Sequence, residues 1–127
     1  MSICLAASLV FLKYLANADS EAPNKPYVSA SSEGGIYAKC TSKEILGELG
    51  KTQVYKMSEK GEELLCSFDW FPSGGIYLID NFNNGGNFYS IVRIGPWPAG
   101  NNPDNQLSIA FYNDCKEIKR YSTADIV

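Results

Sequence analysis

From residue 36 onward, hydrophobic side chains recur at every second position, the period of a pleated strand that buries one face. The alternation predicts seven strands, over residues 36–40, 52–57, 63–70, 76–79, 88–94, 107–112 and 117–121, separated by clusters of Gly, Asn, Pro, Asp and Ser. In the third of these, Leu64, Cys66, Phe68 and Trp70 share the face expected to point inward, and Leu65, Ser67 and Asp69 share the other. Residues 42–50 suit one helical turn capped by Ser42 or, equally, a loop, because Gly47 and Gly50 weaken a helix. The tail from Ser122 reads as a helix start, with a hydroxyl cap and an early carboxylate at Asp125. Strands joined by short turns imply an all-β fold: a single antiparallel meander of about seven strands forming a small barrel or sandwich.

Ser32-Glu33-Gly34-Gly35-Ile36-Tyr37 echoes Ser73-Gly74-Gly75-Ile76-Tyr77 about forty residues later, near the length of a propeller blade. The chain is too short for the four blades a propeller needs, so the echo reads as shared turn chemistry. Upstream of the strands the pattern changes. Residues 3–12 (Ile-Cys-Leu-Ala-Ala-Ser-Leu-Val-Phe-Leu) are an unbroken apolar run, followed by Lys13 and then by Ala16-Asn17-Ala18. As a helix such a run spans about 15 Å, half of a ~30 Å hydrocarbon core, so it is too short to cross a membrane. The run and the A-x-A site after it read as a signal peptide over residues 1–18. Residues 19–30, with two prolines and mixed charge, read as a loose lead-in, and residues 31–127 as one β domain. The expected location is secreted or periplasmic, with no membrane span in the mature chain.

Composition changes the picture mainly by exclusion. The 127 residues carry 11 basic and 14 acidic side chains, a net charge of −3, which supplies no electrostatic footprint for nucleic acid. No histidine occurs, so Ser-His-Asp and Cys-His triads and HExxH zinc sites are ruled out. The sequence calls for no cofactor. It has no phosphate-binding glycine motif, and the loop at residues 80–87 breaks the calcium-binding frame because Phe82 stands where a ligand belongs.

Export gives the cysteines a meaning. Cys4 leaves with the signal, and Cys40, Cys66 and Cys115 remain. Cys40 and Cys66 fall on inward-facing strand positions and Cys115 at a hairpin tip, so the expected bridge is Cys40 to Cys66, worth about 3 to 4 kcal/mol. The other reading is that both are small buried apolar residues. No metal site is expected, since C-x-x-C spacing and a fourth ligand are missing.

The candidate binding residues are aromatic. Trp97 stands between Pro96 and Pro98, which restrict its backbone and make the indole a platform for a sugar, peptide or cation, or a plug for the end of the fold. Trp70, Tyr77 and Tyr89 form an aromatic strip if their strands are neighbours. Arg93, alternating with Ile91 and Tyr89, either faces solvent or pairs with Asp69 or Asp80.

Val92-Arg93-x-Gly95-Pro96-Trp97, then Ile109-Ala110-Phe111-Tyr112, then Lys119-x-Tyr121-Ser122-Thr123-x-Asp125 resembles a succession in a group of uncharacterised exported bacterial proteins. The likeness covers about a third of the chain. Members of that group usually carry Gly-Lys where this chain has Cys115-Lys116, and they continue past the Tyr-Ser-Thr element. The resemblance implies export and a β fold. It implies no activity and assigns no functional residue.

Two function classes remain. One is an exported β domain that binds a protein or glycan partner, with inhibition of a host hydrolase such as lysozyme as a specific form. The other is a carboxylate-dependent, glycosidase-like hydrolase built around Asp69 and a second acid.

Overall fold

A computed structural model describes residues 22–96 and 106–126. Among these, eight strands form two four-stranded antiparallel sheets. The first sheet runs β1 (Tyr27–Ala30), β2 (Ile36–Ser42), β3 (Gly50–Ser58), β4 (Gly61–Phe68), and the second runs β5 (Ile76–Asp80), β6 (Tyr89–Ile94), β7 (Leu107–Asn113), β8 (Lys116–Ser122). Every strand pairs only with its neighbours in the chain, as in a meander, and the sheets stay open and pack face to face as a sandwich. Ile36, Ala38, Cys40, Val54 and Cys66 line the inner face of the first sheet, and Ile76, Leu78, Ile91, Ala110 and Tyr112 that of the second. Phe71, on the connection between the sheets, joins the same core.

Three local features depart from the simple alternation. Tyr27–Ala30, inside the stretch expected to be a loose lead-in, forms β1 by pairing with residues 37–40 of β2. In β4 the register shifts opposite Val54/Tyr55: Cys66 faces Val54, but Leu64, not Leu65, faces Tyr55. A bulge of one residue reverses the parity of everything before it, so Leu64 points to solvent and Leu65 packs against the core, the opposite of the expected arrangement. Residues 43–49 form an irregular loop rather than a helical turn. The two Gly-Ile-Tyr echoes enter β2 and β5 through different turns, because the positive φ falls on Gly34 in one and on Gly75 in the other, one position out of step.

The chain ends its described part in a single turn, α1 (Thr123–Ile126). Its cap runs as the tail sequence implies: the Ser122 amide and hydroxyl both donate to Asp125 Oδ2, at 2.8 and 3.0 Å, and hold that carboxyl below its usual range.

The disulfide joins Cys66 to Cys115, and Cys40 is a free, buried thiol. The expected Cys40 to Cys66 bridge is corrected by the order of strands. Both residues face inward from one sheet, but Cys40 lies opposite Thr52 and Cys66 opposite Val54, so β3 runs between them. Two strand spacings are about 9.5 Å, beyond the ~7 Å that a disulfide spans between Cα atoms. The hairpin between β7 and β8 instead turns Cys115 toward β4, with Asp114 at φ 55° in the bend. The bridge therefore ties one sheet to the other, and burial pushes the Cys40 thiol up from its usual titration range.

Candidate interaction surface

Of the five aromatic and basic residues singled out, the fold brings two together. Arg93 is 7% exposed and points into the sandwich, with its guanidinium 4.4 Å from the centre of the Trp70 ring. Its carboxylate partner is Glu48, at 3.2 Å, and neither Asp69 nor Asp80. Glu48 Oε2 also accepts from the Ser73 amide, so the loop before β3, the connection after β4 and strand β6 are knotted at one point. Trp70 stacks on Phe68 at 4.7 Å and leans on Tyr112 at 5.7 Å. Stacked on Phe68 and with the Arg93 guanidinium over its ring, this indole is no open platform.

Tyr89 lies inside the sandwich, with its hydroxyl 3.5 Å from the sulfur of Cys66 and 3.4 Å from that of Cys115; burial raises its pKa. Tyr77 points the other way, to solvent, so Trp70, Tyr77 and Tyr89 do not form a strip. Trp97 lies outside the described residues.

Tyr77 belongs to a different arrangement. On the outward side of the second sheet it sits opposite Val92, which sits opposite Phe111. Beside this row, Ile94 faces Ile109 and Ile109 faces Tyr121; Ile79 extends the patch along β5. Tyr77 is 64% exposed and Ile79 53%, while Val92, Ile94, Ile109 and Phe111 are half-buried. Phe111 and Tyr121 meet edge to face at 6.4 Å, and Lys119 Nζ covers the Tyr121 ring at 5.3 Å. Ser90, on the same side of β6, donates to the Tyr112 carbonyl at 3.0 Å and is already satisfied.

The outward side of the first sheet is built differently. Tyr37 stacks on Tyr55 at 5.4 Å, Lys39 Nζ lies 4.9 Å above Tyr55 and 3.3 Å from Glu62, and the Tyr55 hydroxyl donates to Gln53 Oε1. Hydrogen bonding from Tyr37, and then the charge of Lys39, holds the Glu62 carboxyl below its usual range. The first sheet thus mixes ion-paired and aromatic side chains with the exposed Val28 and Leu64, whereas the outward side of the second is predominantly aliphatic across β5, β6 and β7.

Sequence reasoning missed Ile79, Val92, Ile94, Ile109 and Phe111, although a signal for them exists. Ile76-Tyr77-Leu78-Ile79, Ile91-Val92 with Ile94, and Ile109-Ala110-Phe111-Tyr112 are apolar at both parities, whereas Ile36-Tyr37-Ala38-Lys39-Cys40-Thr41 alternates. A strand apolar on both sides expects something on both sides.

Asp69, the acid offered for hydrolysis, and Asp80, offered as a partner for Arg93, lie in different surroundings. Asp80 is buried, accepting from the Ser31 hydroxyl and, at 3.1 Å, from the Phe82 amide; Asp69 is exposed on the connection after β4. Neither the pocket of about 330 Å³ lined by Gly74, Ile94, Gly95, Pro96, Leu107, Ser108 and Thr123, nor that of about 250 Å³ beside Tyr27, is lined by a carboxylate. Among the described residues no helix is long and apolar enough to cross a membrane. No known family, curated protein or solved structure matches the chain.

Proposed function

We propose that this is an exported β-sandwich module that binds a protein partner through the outward face of its second sheet. The observation that carries the reading is the surface of Tyr77, Ile79, Val92, Ile94, Ile109 and Phe111, laid across three adjacent strands, with the Tyr77 hydroxyl the one polar group these six side chains carry. A contiguous apolar patch of this kind marks an interaction site. Its aliphatic character favours protein over glycan, because a sugar needs hydrogen-bonding groups around its ring and Ile79, Val92, Ile94 and Ile109 have none to give. Export rests on residues 1–18 and on the resemblance to exported proteins.

The test is affinity capture from envelope and extracellular fractions with the wild-type protein and with Tyr77→Lys/Ile79→Lys. Both positions are exposed, so the fold and its melting point should be unchanged while the captured partner is lost. Capture of the same partner by both proteins would remove this face from the account. Titration of lysozyme activity with the protein tests the inhibitor form directly.

A further inference from the structure

A second apolar surface lies elsewhere, at the tip of the loop over residues 43–49. Ile45 is 74% exposed, Leu46 49% and Leu49 61%, three aliphatic side chains held out from one end of the sandwich. The loop is ordered rather than slack. The Asn24 amide donates to the Ile45 carbonyl at 2.7 Å, and Asn24 Nδ2 reaches the carbonyls of Glu44 and Gly47. The Lys43 amide donates to the Leu49 carbonyl and the Phe71 amide to the Glu48 carbonyl, both at 2.9 Å.

Charges of both signs surround the tip, and the two acids of the loop are engaged while its lysines are not. Glu44 Oε1 accepts from the Leu49 amide at 3.0 Å, inside the loop, and Glu48 is turned toward Arg93. Lys25, Lys43 and Lys51 are exposed at the foot of the loop, and among the described residues none forms an ion pair. Asp69, on the neighbouring connection, is the exposed carboxylate nearest in the chain to the Phe71 contact. At this end, therefore, three exposed lysines without ion partners among the described residues stand at the foot of an aliphatic tip, while Glu44 is engaged by the Leu49 amide and Glu48 by Arg93.

We propose that this loop docks the protein on an anionic lipid surface. Ile45, Leu46 and Leu49 enter the boundary between headgroups and acyl chains, and Lys25, Lys43 and Lys51 lie against the phosphates. Two features favour a bilayer over a protein groove. The apex has no aromatic or hydrogen-bonding side chain to read a specific partner, and several of the loop's amides and carbonyls are already occupied, so entry into a poorly hydrated layer leaves few of them unpaired. The site is separate from the sheet face, and either can fail without the other.

The experiment is sedimentation of the full chain with vesicles of equimolar phosphatidylcholine and phosphatidylglycerol at low salt. All variants keep the same N-terminus, so the run at residues 3–12 contributes equally to each. Ile45→Ser/Leu46→Ser/Leu49→Ser should weaken binding more than about tenfold, and Lys43→Gln or Lys51→Gln about fivefold each. The indole introduced by Leu46→Trp should shift to the blue and be quenched by brominated lipid. These results support docking, and the lysine and Leu46→Trp variants decide the matter even if the triple variant fails to fold. Equal binding by wild type and triple variant, an unquenched indole, or loop variants that change only the oligomeric state would overturn it.

Discussion

Replacing Cys66 and Cys115 together by Ala should destabilise the fold by about 4 kcal/mol. The two residues stand 49 apart in the chain, and a loop of that length, once closed, deprives the unfolded state of roughly that much conformational freedom. For a domain near 100 residues the melting midpoint should fall by roughly 16 to 30 °C. Reductant added to the wild-type protein should reproduce most of the shift in a thermal melt followed by circular dichroism. Cys40→Ala is the control. It removes one buried sulfur, costs about 1 kcal/mol, and should leave the sensitivity to reductant intact. A midpoint unmoved by reductant, or a sensitivity that disappears with Cys40→Ala, would refute the assignment of the bridge and the strand order behind it.

Other expectations follow from single contacts. Arg93→Ala leaves Glu48 without its partner and uncovers Trp70, and should cost about 3 kcal/mol in a denaturant melt, most of it regained when Glu48→Gln is combined with Arg93→Met. Gly95→Ala should destabilise by about 2 kcal/mol or more, because a Cβ there collides with the Leu107 carbonyl, which backbone pairing holds in place. Burial, with Cys40 beside it, raises the Tyr27 hydroxyl well above its usual value near 10. The stability this represents is complete below about pH 10, where the hydroxyl is protonated in both states, and is lost as pH rises because the unfolded chain ionises first. Tyr27→Phe should therefore lower the neutral-pH stability by about 1 kcal/mol, through loss of the 2.7 Å bond to the Pro72 carbonyl, yet flatten the alkaline fall in melting temperature.

The strands were legible where alternation was strong, as in residues 36–40, or where β-branched and aromatic residues ran between turn clusters, as in residues 107–112; barrel and sandwich stayed open in the sequence, and the two unclosed sheets decide between them. Tyr27–Ala30 was not, because four residues with Pro26 before them carry no period; only pairing with β2 makes them a strand. The reversed facing of Leu64 and Leu65 is equally invisible, since the bulge depends on how β3 and β4 meet. Arg93 was recognisable as unusual, but its partner Glu48 lies 45 positions earlier, and nothing short of the fold brings them within 3.2 Å. The binding face was the reverse case: its double-sided apolar strands were present in the sequence, and the habit of assigning one buried face per strand concealed them.

Because among the described residues no strand crosses between the sheets, these divide into consecutive halves, joined through residues 69–75 and again through one sulfur bridge. A protease that nicked this connection would release nothing: the fragments would migrate as one species until a thiol was added. The same division makes the protein a natural subject for fragment complementation, with each half expressed apart and reunited across a shared interior.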